Sequence, residues 1–449
     1  MKKIACLILL IVAVAMISAC NRAGEEPDSY ETANGELESY YPASNLGGEL
    51  NLPLPQRTPQ LSLIAGWGSS MLLTEDGELW IWGHIYGGTD WCTWCQTDSA
   101  KHLEEPIMLM DDVVYAVQAA RNIKVIRRDG SLWGLGCNAM GQLGDGTTID
   151  RHYPIKIMDD VVAVSIGSGT RPHAIRSDGS LWSWGGVDWR AHYGSVPMQY
   201  DNMENIVDVA VGNGFTLALK SDGSLWSWGG NFFGQLGDGT NKSRLEPAKI
   251  MENVIAISAG DTRAAAIKAD GSLWTWGFGH TFPNYRTSEY WTGSDYRSLP
   301  VKIMDDAIAI SIGGGSFGHF MAIKSDNSLW GWGWNMWGQL GNSTYLFFHR
   351  MSGDSTQLGE RMQEYWSVRE FQERGFEYWG DEILIEPLPI KIMEAVRSIS
   401  TLNNHTLIVT LDSKLLAFGG NHAGQLGDGA TVNSSIPKVI TILDDILNK

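Results

Sequence analysis

From residue 59 onward, short apolar runs alternate with clusters of Gly, Asp, Asn and Ser, which predicts β-strands joined by tight turns rather than helices. The unit is clearest at residues 221–240, SDGSLWSWGGNFFGQLGDGT. Its core is an acidic turn followed by a small residue, Leu, Trp, any residue, Trp and Gly. It recurs as EDGELWIWG from Glu75, RDGSLWGLG from Arg128, SDGSLWSWG from Ser177 and Ser221, ADGSLWTWG from Ala269 and SDNSLWGWG from Ser325. A worn copy, LDSKLLAFG, starts at Leu411. Self-similarity at such spacings marks a propeller or solenoid.

The rest of the unit can be read around that core. Upstream lie PIKIMDDVVAVSIGSG from Pro154, PAKIMENVIAISAG from Pro247, PVKIMDDAIAISIGGG from Pro300 and PIKIMEAVRSIS from Pro389. Their β-branched runs interleaved with Ala, Ser and Gly suit a strand packed on both faces near a crowded axis. A pair such as FTLALK and SLWSW, joined by Ser-Asp-Gly, reads as a hairpin, because Asp and Gly tolerate the positive φ of a tight turn. Each unit is therefore an antiparallel sheet of about four strands.

These repeats, with GQLG at Gly141, Gly234, Gly338 and Gly424, resemble the signature of the RCC1 (regulator of chromosome condensation) repeat family. The resemblance covers residues 59–449 and implies an all-β, seven-bladed β-propeller that presents a face to a partner. The C-terminal IPKVITILDD from Ile436 copies the PIKIMDD element with no hairpin after it, whereas the first unit starts at LSLIAGWGSS with no such element before it. The ring is accordingly expected to close by a C-terminal strand joining the first blade.

The N-terminus has a different layout. Lys2 and Lys3, an apolar run from Ile4 to Ile17 and small residues ending at Cys20 have the arrangement of an export signal. Ile17-Ser18-Ala19-Cys20 resembles a bacterial lipobox, so residues 1–19 are expected to be removed and Cys20 lipidated. Residues 20–58, rich in Glu, Ser, Asn, Gly and Pro, are expected to form a disordered tether. This predicts a bacterial membrane lipoprotein on the extracytoplasmic side, with a lipid anchor as its sole membrane contact. The formal charge of −18 argues against nucleic acid as a partner.

Chemistry is sought where the repeat breaks. The GQLGDGT loop lacks the Lys-Ser/Thr of a phosphate loop and is repeated, so Asp145, Asp238 and Asp428 are expected to be structural turn aspartates. Of the 20 tryptophans, eleven occupy the repeat core as blade packing: Trp80, Trp82, Trp133, Trp182, Trp184, Trp226, Trp228, Trp274, Trp276, Trp330 and Trp332. A plant branch of the family senses ultraviolet light through clustered tryptophans, but its Gly-Trp-Arg-His-Thr element does not occur here. Three segments that replace GQLGDGT carry candidate ligand-binding residues: Trp91 and Trp94; Trp189, His192 and Tyr193; and Tyr285, Tyr290, Trp291 and Tyr296. Irregular aromatic loops on a rigid scaffold suit recognition, and equally suit burial as loop cores. An insertion at 342–388 contains near-helical apolar spacing over Gln357–Phe376.

Cys92 and Cys95 are a candidate disulfide, with Cys137 left over. No catalytic residue, metal site or cofactor is expected, since there is no nucleophile elbow, no HExxH and no metal-ligand spacing. The leading expectation is a non-catalytic propeller that binds a surface or secreted protein or peptide, in one version as an inhibitor of an extracytoplasmic enzyme. The alternatives are a cell-wall glycan-binding module and, behind it, a hydrolase or lyase.

Overall fold

The computed structural model describes residues 50–55, 58–84, 102–119, 122–167, 171–188, 191–192, 194–278, 296–314, 318–343, 385–443 and 446. Seven four-stranded antiparallel sheets follow one another along the chain. Blade 1 spans Ser62–Met110, blade 2 Val113–Met158, blade 3 Val161–Gln199 and blade 4 Ile206–Met251; blade 5 spans Val254–Met304, blade 6 Ala307–Met393 and blade 7 Val396–Val439. In each blade the four strands pair in chain order. The first strands lie against those of neighbouring blades, so they are the inner strands around the axis, and the fourth strands form the rim. Every rim strand but the short Met198–Gln199 of blade 3 carries a proline, such as Pro154, Pro247 or Pro300, which removes a backbone donor from an otherwise open edge.

The acidic turn explains why each second and third strand meet. In blade 4 the Asp222 carboxylate accepts from the Ser224 amide at 2.8 Å and the Ser224 hydroxyl at 2.5 Å, while Gly223 takes φ +75°. Ser224 Oγ in turn accepts from Trp226 Nε1 at 3.0 Å, and Lys220 lies 5.1 Å over that ring. Blades 2, 3, 5 and 6 repeat the Asp–Ser–Trp relay through Asp129, Asp178, Asp270 and Asp326.

The second tryptophan of each core has another job. Trp82, Trp184, Trp228, Trp276 and Trp332 are buried against the preceding blade, in the apolar clusters that alternate around the ring. Thus the eleven core tryptophans divide: six, including Trp80 and Trp133, are half-buried beside the turns, and five pack between blades.

Ring closure differs from the expectation. The C-terminal strand Ser434–Val439 pairs with Leu415–Gly419 and is the rim strand of blade 7, not a strand of blade 1. The Pro-x-Lys-Ile-Met element is the rim strand of one blade, and the run after its acidic pair is the inner strand of the next. The blade boundary therefore falls inside the repeated text, and blade 1, starting at Ser62, lacks nothing. Blades 7 and 1 close without a shared strand, by packing of Leu63, Leu72 and Trp82 against Leu402, Leu407 and Ile440 and by side-chain hydrogen bonds such as those of Ser70 Oγ and Trp82 Nε1 to the Gln425 carbonyl, at 2.8 and 3.2 Å.

The tether boundary also moves. Residues 50–55, expected within the tether, lie on the ring. The Leu52 amide donates to the Ser221 carbonyl at 2.6 Å, and Leu52 is buried with Val207, Leu225 and Val254. Leu54 packs into the clusters on both sides of blade 4. Alternation of Leu50, Leu52 and Leu54 with exposed Asn51 and Pro53 makes this an apolar strip, a signal diluted by the polar residues before it.

Candidate functional site

Antiparallel connectivity sorts the connections onto two faces. The Asp-Gly hairpins between second and third strands and the turns between blades share one face, here the underside. Connections between first and second, and between third and fourth, strands share the other, the loop face. Residues 50–55 sit on the underside, at the Ser221 turn of blade 4. The strand ends that flank the irregular segments, a third strand and a fourth in each case, open on the loop face.

Four regular loops on this face, in blades 2, 4, 6 and 7, are organised by a buried asparagine that the motif analysis passed over. Asn231 Nδ2 reaches Asp238 Oδ1 at 3.1 Å and the carbonyls of Thr240 and Lys242 at 3.1 and 3.2 Å, while its Oδ1 accepts from the Leu236 amide at 2.9 Å. Asn138 and Asn421 repeat the arrangement. Asp145, Asp238 and Asp428 accept from backbone amides two residues on, at 3.0, 3.0 and 3.2 Å. Each also holds a cation: Arg151 at 2.6 Å, Arg244 at 3.4 Å and Lys438 at 2.8 Å. Hydrogen bonds to Thr147, Arg151 and Asn138 outweigh burial and hold the Asp145 carboxyl below its ordinary range.

Blade 6 inverts this pair. Asn342 stands in place of the aspartate and donates to Glu386 Oε1 at 3.0 Å, where blade 2 has Arg151. Burial with only an amide partner raises the Glu386 carboxyl to about 7.

The leucine of each regular loop, Leu143, Leu236, Leu340 or Leu426, is fully buried, whereas the two residues after the asparagine are exposed in blades 2 and 4 and half-buried in blade 6, and in blade 7 His422 is exposed and Ala423 buried. Phe232 is 69% exposed and Phe233 39%, the latter 5.1 Å edge-on to Phe278 of blade 5. In blades 6 and 7 the same positions bring Trp337 to 6.5 Å from His422. Desolvation and, behind it, the facing His84 lower the His422 pKa. The signal available in the sequence was the variable pair inside Asn-x-x-Gly-Gln-Leu-Gly: Ala139-Met140, Phe232-Phe233, Met336-Trp337 and His422-Ala423.

Of the residues singled out from the irregular segments, His192 lies in a two-residue strand paired with Val187–Asp188. Tyr296 opens the rim strand of blade 5 opposite Phe278, with its hydroxyl 3.5 Å from Asn241 of blade 4. Trp91, Trp94, Trp189, Tyr193, Tyr285, Tyr290, Trp291, the Cys92–Cys95 pair, Cys20 and the Gln357–Phe376 segment lie outside the described residues. Among the described residues no group of three or more His, Cys, Asp or Glu side chains is placed to hold a metal ion, and no helix is long and apolar enough to cross a membrane. His173, His319 and His405 are fully buried, and desolvation lowers each to about 3, which keeps them neutral. His319 reaches Thr406 at 2.8 Å and His405 reaches Ser70 at 3.2 Å, so both tie adjacent blades together.

The regulator of chromosome condensation (RCC1) repeat profile matches residues 129–170 and 222–267, and a second profile of the same repeat matches 206–235. Over 342 residues the chain is 27% identical to an ultraviolet-B receptor of Arabidopsis thaliana, covering 69% of this chain and 77% of that protein. An RCC1 domain-containing protein of Dictyostelium discoideum is 30% identical over 130 residues, 29% of this chain and 22% of that protein. Among solved structures, yeast RCC1 bound by Kap60 superposes with a TM-score of 0.62 at 18% identity, covering 89% of this chain and 88% of that one. Human WBSCR16 gives 0.56 at 15% identity, with 86% and 98% covered. At such identities the solved structures speak for the fold alone.

Proposed function

We propose, from a chain that belongs to the RCC1 repeat family and from the geometry of its loop face, a non-catalytic binding propeller that recognises a protein or peptide partner. The observation that carries this reading is the asymmetry of the two faces. The underside consists of near-identical turns and is partly covered by residues 50–55. The loop face carries the irregular third-to-fourth connections of the sequence together with four loops whose backbones are fixed by buried asparagines and whose outward residues include Phe232 and Phe233. Rigid aromatic anchors on a preorganised surface lose little entropy on binding.

The lipid anchor at Cys20 and the extracytoplasmic location belong to the same proposal. A tether arriving at the underside holds the loop face away from the membrane, where a secreted or surface protein can reach it. Inhibition of an extracytoplasmic enzyme is the concrete form this takes if that partner is an enzyme. Two similar proteins have associations of their own, an ultraviolet-B receptor and a yeast RCC1 bound by Kap60. The first is not transferred, because the Gly-Trp-Arg-His-Thr element is missing from this sequence.

Crosslinking capture from native envelopes tests the reading. Phe232→Ala/Phe233→Ala should reduce capture of the crosslinked protein while leaving thermal stability near that of the wild type. Retention on cell-wall glycan in place of protein would replace this reading with glycan binding. Metabolic labelling with palmitate, compared with Cys20→Ala, tests the anchor separately.

A further inference from the structure

Six of the seven junctions between blades are crossed by the chain itself, in a short turn from the rim strand of one blade to the inner strand of the next. The seventh, between blades 7 and 1, has no such turn, because those blades come last and first along the chain. Packing and side-chain hydrogen bonds hold it: the Ala65 amide donates to Ser400 Oγ at 2.9 Å, and Ser70 Oγ lies 3.2 Å from His405 Nε2. The covalent chain therefore restrains opening of the ring least at this junction.

The segment that precedes blade 1 is anchored both at that junction and on the far side of the ring. At one end Leu61 is buried in the closing cluster with Leu63 of blade 1, Leu402 and Leu407 of blade 7, and Leu443 beyond the last strand. At the other end Leu52 is seated on blade 4 among Val207, Leu225 and Val254, with its amide on the Ser221 carbonyl. Leu54 packs against the clusters on both sides of that blade, and Pro55 is buried. Blades 2 and 3 lie between the two anchorages on one side of the ring, and blades 5 and 6 on the other. Pro53, Pro55 and Pro59 fix φ along the connection, which leaves it little slack. A displacement of one anchorage is passed to the other.

We propose that residues 50–61 are a strap that braces the ring, tying blade 4 to the junction of blades 7 and 1 and holding that junction shut. Leu61 and Leu63 leave the closing cluster together when blade 1 parts from blade 7. Opening must then either draw Leu52 from its seat or deform the arc of blades 1 to 4 that the strap spans. The two losses are coupled, and the open state is rarer for it. The same arrangement decides where tension from the N-terminal side arrives. A pull on residue 50 meets the Ser221 turn of blade 4 before it reaches the inner strand of blade 1, so the weakest junction is spared. The brace is independent of what the loop face binds.

Hydrogen exchange of the full chain, read by mass spectrometry, tests the strap. Leu52→Asp removes the blade 4 anchorage, and a Gly-Gly-Gly-Gly insertion between Thr58 and Pro59 slackens the connection while leaving both anchorages in place. In both variants the Ala65 amide, which bridges to Ser400 across the closing junction, should exchange about tenfold faster than in the wild type. In the slackened chain Ser221–Leu225 should keep its wild-type rate. Ile257→Ala damages the cluster that holds Leu52 without touching the strap, and should leave the Ala65 amide unchanged. Acceleration confined to the surroundings of Ser221 in Leu52→Asp, or an unchanged Ala65 amide in the slackened chain, overturns the proposal. Equal acceleration in Ile257→Ala does so too, since the effect would then be a general loss of stability. If Leu52→Asp fails to fold, the glycine insertion decides.

Discussion

Replacing Lys124 by methionine is expected to stabilise the protein. Lys124 is the third residue of the second strand of blade 2, directed at blade 3, and it is fully buried. The equivalent residues in blades 1, 4, 6 and 7 are Met71, Leu217, Met321 and Leu407. Room for the longer chain comes from Gly134 across the strand pair, where a Cβ would lie 3.2 Å from the amine. The ammonium donates to Asn122 Oδ1, and Asp145, which attracts it, is already held by Arg151. Burial outweighs that attraction and lowers the pKa from 10.5 to about 7. At ~1.4 kcal/mol for each tenfold change in proton affinity, the displacement corresponds to about 5 kcal/mol against the charged form near neutrality. Removing the amine leaves Asn122 Oδ1 without this donor, which costs about 1–3 kcal/mol. Lys124→Met should then gain roughly 2–4 kcal/mol at pH 7.

The sign has a pH signature. A lysine with a depressed folded pKa contributes its full stability above the unfolded value of 10.5 and loses it as pH falls toward about 7. The advantage of Lys124→Met should therefore be largest at pH 7 and shrink toward pH 10. Urea unfolding of both proteins at the two pH values measures it. A less stable variant at pH 7, or an advantage that does not change with pH, would refute the argument from desolvation.

Other expectations follow from the same buried groups and loops. His173, His319 and His405 are neutral in the fold with pKa values lowered to about 3, so their contribution is present above pH 6.5 and lost as pH falls toward 3, at about 4 kcal/mol per pH unit for the three together. Circular dichroism during acid titration should show unfolding in this window, and His173→Leu should shift it to lower pH. Glu386 has the opposite sign: its pKa is raised to about 7, so its contribution is present below pH 4.5 and lost as pH rises through 7. Glu386→Gln should remove that loss, worth about 3 kcal/mol above pH 8, in thermal melts compared at pH 5 and pH 8.5. Asn231→Ala strands the Leu236 amide and the carbonyls that Asn231 Nδ2 holds, and should cost about 2–4 kcal/mol, with faster hydrogen exchange confined to residues 231–242.

The repeat was legible because most blades reuse one chemical solution. Ser-Asp-Gly closes the hairpin, serine holds the tryptophan, and the next tryptophan reaches the preceding blade; each step depends on residues close in sequence or recurring at the same register. The strand count of each blade and the number of blades follow from that recurrence. Less legible was where a blade begins. Pro-Ile-Lys-Ile-Met and Val-Val-Ala-Val-Ser are separated only by Asp159 and Asp160, yet a left-handed Asp160 at φ 61° turns the chain between them from the rim of one sheet to the inner strand of the next. Periodicity alone does not mark that turn, so the C-terminal strand was assigned to blade 1.

The candidate site divides in the same way. That function should be sought where the repeat fails was an inference about which residues vary, and it led to segments largely outside the described residues. The outward Phe232 and Phe233 lie within the most regular repeat, where glycine and asparagine disguise them as turn. Their exposure becomes evident only once Asn231 is seen folding the loop inward around Leu236.

What the sequence by itself determined was the unit: its hairpin, its turn chemistry, its buried tryptophan and its sevenfold recurrence, all governed by interactions within one blade's length of chain. Tertiary structure decided how the ring closes, which face carries residues 50–55, and which polar groups find partners. Those outcomes depend on blade meeting blade. Leu63 packs on Leu402, Leu52 on Val254, and one blade's carbonyl completes the next blade's donors, across separations that no local pattern encodes.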